Sequence, residues 1–207
     1  MKKVALILSH TGSGSGDLCN ILDANPRVQV YRTGTVYNHP TLVESISQQP
    51  HKANNAAGVF VDELLSNILF TSKALYQCCK FIYVVRSALP TLIAITESKA
   101  TLAQNVRYYT YRLCRIYEMA RKTPGAVLLT WEDMTAGRFG PLESYLNLKE
   151  KLAGHEKLFP NPPIKSFITG TLVNEAQDAY ERYLYLLRNL PLKKFEFERN
   201  DGSGIIS

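Results

Sequence analysis

VALILSHTGSGSGDL, residues 4–18, passes from an apolar run through a Gly/Ser loop into the start of an amphipathic segment. A β-strand that feeds a Gly-rich turn and then a helix gathers unpaired backbone N–H groups at the head of the helix. The helix N-terminus adds partial positive charge to those donors, so the arrangement favours an anion such as a phosphate. Gly12, Gly14 and Gly16 allow close approach of the backbone and positive φ where the turn needs it. Ser13 and Ser15 bring hydroxyls into the same loop. In open α/β sheets the first β–α turn is a ligand-binding position. The bland alternative is a flexible turn joining strand to helix.

Two common phosphate loops do not fit. The pattern G-x-x-x-x-G-K-[ST] needs a Lys after a Gly, and Asp17 stands near that place. A carboxylate there repels a γ-phosphate. The dinucleotide fingerprint is G-x-G-x-x-G, whereas this loop is spaced G-x-G-x-G. Asn38, about 20 residues on, stands near where an acidic ribose ligand would lie.

The 207 residues suit one domain spanning 1–207, with 198–207 as a flexible tail. Net charge is +6, which mildly favours anionic ligands, but the basic residues are scattered and form no nucleic-acid stripe. Cys19, Cys78, Cys79 and Cys114 form no C-x-x-C pair, and the His spacings suggest no metal site. Buried thiols in a reducing compartment are expected. The apolar run after the first Lys residues is too short for a secretory signal, and no stretch approaches a membrane span. The expectation is a cytoplasmic protein that binds neither membrane nor nucleic acid.

Strand and helix signals alternate along the chain. Strands are expected at 4–8, 28–31, 58–61, 81–85 and 126–130. Helices are expected at 17–24, 41–48, 63–75 behind an Asp62 cap, 92–96 behind Pro90, 102–121, 142–152 and 175–190. In 102–121 the apolar residues fall at helical spacing, with Arg107, Arg112 and Arg115 off that stripe. Tyr108, Tyr109, Tyr111 and Tyr117 read as helix packing. The alternation argues for a three-layer α/β/α fold around a central parallel sheet.

Two more segments carry chemistry. FIYVVR ends at Arg86, on the tip of a central strand, where a guanidinium fork suits a phosphate dianion. VLLTWEDM, residues 127–134, is another strand end and carries Glu132 and Asp133. Asp133 reads as a cap on backbone rather than as half of a catalytic pair.

In this order and spacing the segments resemble the sulfotransferase family, which has a P-loop-like fold. TGSGSGDLCNILDANPRVQVY looks like its 5′-phosphosulfate loop with the following helix and turn. FIYVVRSALPTLIAI looks like its 3′-phosphate element, and LLTWEDM like its Tyr-Glu-Asp-Leu strand end. The resemblance covers residues 3–150 and implies a P-loop NTPase-like α/β/α fold. It also implies 3′-phosphoadenosine 5′-phosphosulfate (PAPS) as donor, with adenosine 3′,5′-bisphosphate as product. Thr11, Gly12, Ser13, Gly14, Ser15, Gly16 and Asp17 would then hold the phosphosulfate end, and Arg86 with Thr91 the 3′-phosphate.

The chain departs from the family pattern in three places. Gly12 stands where the family has Lys or Arg. Ala94 stands where it has a Ser eight residues after the Arg, leaving Ser87 or Thr91 to supply a hydroxyl. Arg32, Thr33 and Gly34 occupy the stretch where some branches have a catalytic Glu. The leading base candidate is His39, just beyond the second strand, followed by His10 in the loop; His51 and Glu44 lie nearby. His155 reads as a surface residue.

The expected function is sulfuryl transfer to a hydroxyl or amine of a small-molecule, glycan or peptide acceptor. The alternatives are a sulfotransferase-like nucleotide-binding protein with impaired turnover and a nucleotide or small-molecule phosphotransferase.

Overall fold

The computed structural model describes residues 3–31, 59–64, 79–96, 100–158 and 170–192. Five strands form one all-parallel sheet: β1 Lys3–Ser9, β2 Val28–Tyr31, β3 Val59–Leu64, β4 Cys79–Val85 and β5 Val127–Thr130. Their order is β2-β3-β1-β4-β5. β1 lies at the centre, with Leu6 opposite Asp62 on one side and Phe81 on the other.

The helices are α1 Ser15–Asp23, α2 Ala88–Ile95, α3 Leu102–Ala120, α4 Trp131–Thr135, α5 Gly140–Leu146 and α6 Thr171–Arg188, with a 3₁₀ turn at His155–Lys157. The strands alternate their side chains between two cores. Leu6, Leu8, Phe81, Tyr83, Val85 and Leu128 face α2, α3 and α6. Ala5, Ile7, Ile82, Val84, Val127 and Leu129 face α1, α4 and α5. The expected three-layer α/β/α architecture therefore holds, and the sheet is apolar on both faces as a covered parallel sheet must be.

Local chemistry sets the helix starts. α3 opens on a capping box: the Gln104 N–H donates to Thr101 Oγ1, and the Thr101 N–H donates to Gln104 Oε1. α4 opens on a second box between Thr130 and Asp133, which is the capping role expected for Asp133. Pro90 falls in the first turn of α2, where a missing N–H costs nothing.

The chain leaves β1 through α1 for the far edge strand β2, and leaves β4 through α2 and α3 for the opposite edge β5. The two connections run on opposite faces and diverge between β1 and β4. That divergence opens a crevice at the C-terminal ends of those strands, the position where doubly wound sheets hold ligands.

Several boundaries differ from the sequence expectation, α6 among them, which begins at Thr171 rather than 175. β3 runs to Leu64, so Asp62 and Glu63 are strand residues and Asp62 caps no helix there. Pairing on both sides, with β1 and β2, overrides the local capping signal. α5 begins at Gly140 and ends at Leu146, because Asn147 turns left-handed at φ 59. α1 begins two residues early, at Ser15, with Gly14 as its left-handed N-cap. The expected helix 41–48, the remainder of 63–75 and the tail lie outside the described residues. No helix among the described residues is long and apolar enough to cross a membrane.

Candidate functional site

The Gly/Ser loop lies at the tip of β1 and turns sharply at two glycines. Gly12 has φ 79 and Gly14 φ 89, a region that L side chains rarely adopt. A Cβ on Gly14 would lie 2.3 Å from Trp131 Cε3, and one on Gly12 would lie 3.2 Å from the Ala94 Cβ. The loop is thus pressed between α2 and the Trp131 ring. These contacts account for Gly12 at a place where the resemblance leads one to expect a long cation.

The loop's donors divide into two groups. The Ser13 N–H donates to the His10 carbonyl, the Ser15 N–H to Ser13 Oγ and the Leu18 N–H to the Gly14 carbonyl. Among the described residues, the N–H groups of Gly12, Gly14, Gly16 and Asp17 donate to no protein acceptor. Four open amides at the head of a nine-residue helix are donors of the kind that suit an anion. Ser13 and Ser15 are buried and serve the loop itself: Ser13 Oγ accepts from the Ser15 amide, and Ser15 Oγ accepts from Ser9 Oγ. Thr11, Gly16 and Asp17 are exposed.

Arg86 follows β4 and reaches back to the loop. Its Nη1 donates to the Gly12 carbonyl at 3.2 Å, and its guanidinium stacks 4.2 Å from the Trp131 ring centroid. It is only 8% exposed. Burial pulls its pKa down, while the carboxylates of Glu132 and Asp17 oppose that fall. Loop and guanidinium are thereby in direct contact at the C-terminal ends of β1 and β4.

His10 is fully buried with both ring nitrogens committed. Its Nε2 accepts from the Arg86 N–H at 3.2 Å, which leaves Nδ1 to donate to the Thr11 carbonyl at 3.1 Å. Burial holds its pKa down at about 4, and the charges of Arg112 and Arg86 push the same way. A neutral ring locked between β4 and the loop has no nitrogen to offer an acceptor hydroxyl. His10, the second base candidate, thus has both ring nitrogens bonded to the backbone of Thr11 and Arg86. Thr91 also turns inward: it is 0% exposed and its Oγ1 donates to the Ser87 carbonyl at 2.8 Å. The hydroxyl-bearing residue left at that edge is the half-buried Ser87. His39 lies outside the described residues.

No protein-family model matches the chain, and a search of curated proteins finds no match. A solved structure does match: mouse sulfotransferase SULT7A1 complexed with PAP. It aligns with TM-score 0.52 and 12% identity, over 91% of this chain and 86% of that one. The fold is sulfotransferase-like.

α3 supplies contacts that periodicity alone misses. The Tyr108 hydroxyl accepts from the Thr11 N–H at 3.2 Å and lies 2.9 Å from Thr11 Oγ1. The Tyr109 hydroxyl donates to the Arg86 carbonyl at 2.7 Å, and its ring meets the His10 ring edge-on at 5.0 Å. Arg112, expected off the buried stripe, is buried and donates from Nη2 to the Ser9 carbonyl at 2.6 Å. Burial lowers the Arg112 pKa, and the nearby tyrosines oppose that shift. One helix thus fixes the backbone before, within and beside the loop. Trp131, inside the segment recognised as a strand end, covers both Gly14 and Arg86.

Proposed function

We propose that this chain takes PAPS as a sulfuryl donor and passes the sulfuryl group to a hydroxyl or amine of a small-molecule, glycan or peptide acceptor. The reading rests chiefly on one observation. Four open amides at the head of α1 stand beside Arg86, across the crevice of a sulfotransferase-like sheet. The residues fit the donor's two anionic ends. Gly12, Gly14, Gly16 and Asp17 would hold the 5′ end through backbone N–H groups, and Arg86 would meet the 3′-phosphate.

The reaction is an in-line displacement. An acceptor oxygen or nitrogen bonds to sulfur, the sulfur–oxygen bond to the 5′-phosphate breaks, and its electron pair leaves on that phosphate. The loop amides are suited to the charge that grows there, since fixed donors need no reorganisation as it develops. His39 is the proposed base for the acceptor proton. His10 keeps loop and β4 in register without touching the acceptor.

Calorimetric titration with adenosine 3′,5′-bisphosphate tests the donor site. We expect saturable binding that weakens at least tenfold in Arg86→Ala. No binding to the wild type refutes the reading, and unchanged affinity in the variant refutes the role of Arg86. Turnover of labelled PAPS across an acceptor panel then tests catalysis. A second reading, a nucleotide-binding protein without turnover, is favoured by the buried, internally bonded state of Arg86 and the locked neutral His10. Binding with no labelled product from any acceptor would support it.

A further inference from the structure

The phenol of Tyr108 reaches the loop at its exposed edge. Its oxygen accepts from the Thr11 N–H at 3.2 Å and lies 2.9 Å from Thr11 Oγ1. A phenol carries one proton and two acceptor lone pairs. If the Thr11 hydroxyl donates, both lone pairs are filled by one residue and the phenolic proton points away from Thr11. Thr11 adjoins Gly12, the first of the open amides. The nearby cations are otherwise engaged: Arg86 bonds the Gly12 carbonyl and Arg112 the Ser9 carbonyl.

We infer that Tyr108 is a side-chain donor for the anion held in the loop, its oxygen fixed by the Thr11 N–H and its proton given to that anion while the Thr11 hydroxyl takes the donor role between the two side chains. The ligand class is a tetrahedral oxyanion at the 5′ end of a nucleotide, so the inference rests on the function proposed above. Tyr109, one residue on, is buried on the Arg86 carbonyl. Tyr108 is only half-buried and is the member of the pair at the open edge.

The test uses two ligands, adenosine 3′,5′-bisphosphate and adenosine 3′-monophosphate, titrated calorimetrically into wild type and Tyr108→Phe. Loss of a hydrogen bond to a charged group corresponds to roughly tenfold weaker binding or more. That loss is expected for the bisphosphate alone, because the monophosphate has no 5′ anion. Equal affinities in both proteins, or equal losses for both ligands, overturn the inference.

Site-specific 3-fluorotyrosine and 2,3-difluorotyrosine at position 108 keep the ring's shape and make the phenol a better donor and a poorer acceptor. A donor role predicts that bisphosphate affinity rises along this series. A residue that only braces Thr11 as an acceptor predicts a fall, and a flat or falling series refutes the inference. A wild-type protein that ignores the bisphosphate refutes the parent reading as well, so the two failures are distinguishable.

Discussion

Acid should weaken this fold through His10, and the size of the effect follows from its burial. In the unfolded chain the imidazole protonates near its ordinary 6.5, whereas the folded ring, fully buried, resists protonation until about 4. Between those values the unfolded state binds the extra proton, so stability falls as pH falls. The contribution is complete above about pH 6.5 and gone below about pH 4; its full worth is about 3 kcal/mol. By pH 4.5 about 2.5 kcal/mol of it should be lost. Urea unfolding followed by emission of Trp131, the one Trp in the chain, reads this directly. The comparison is with His10→Gln, which removes the titrating ring but leaves every carboxylate in place. The wild type should lose about 2.5 kcal/mol more than the variant between pH 7.5 and 4.5. Parallel pH profiles for the two proteins would show that His10 is solvated or charged in the native state, against the account of the loop.

Three further outcomes are expected. Gly14→Ala puts a Cβ 2.3 Å from Trp131 at φ 89, so it should cost at least about 2 kcal/mol in urea unfolding and shift Trp131 emission. Glu132→Gln removes a carboxylate that acts on Arg86, and should tighten adenosine 3′,5′-bisphosphate severalfold at low salt, an effect that 0.5 M salt suppresses. Arg112→Met leaves the Ser9 carbonyl without that donor and should lower stability by about 1–3 kcal/mol in the same unfolding assay.

The strand–loop–helix at residues 4–18 is legible in the sequence because its signals are local: an apolar run, then glycines that punctuate it. Arg86 and the Asp133 cap are legible for the same reason, each sitting at the end of an unbroken apolar strand. Asp62 misleads because strand membership depends on Leu6 and Tyr31, partners far along the chain. Tyr108 meets Thr11 across 97 positions, a separation at which helical periodicity is silent. Arg112 belongs to a buried face despite its charge, because its long apolar stem carries the guanidinium to the Ser9 carbonyl. The departures at Gly12 and Ala94, puzzling one at a time, become a single steric fact once α2 is packed on the loop, since the Ala94 methyl fills the space beside Gly12.

The central claim concerns backbone amides, and an amide-resolved measurement reaches it most directly. Protein labelled with ¹⁵N-glycine should be titrated with adenosine 3′,5′-bisphosphate and followed by two-dimensional ¹H–¹⁵N correlation spectra. The account predicts that Gly12, Gly14 and Gly16 show the largest downfield proton shifts, while Gly125, at the opposite end of the sheet ahead of β5, stays in place. Saturable binding that leaves those three signals unmoved would contradict it.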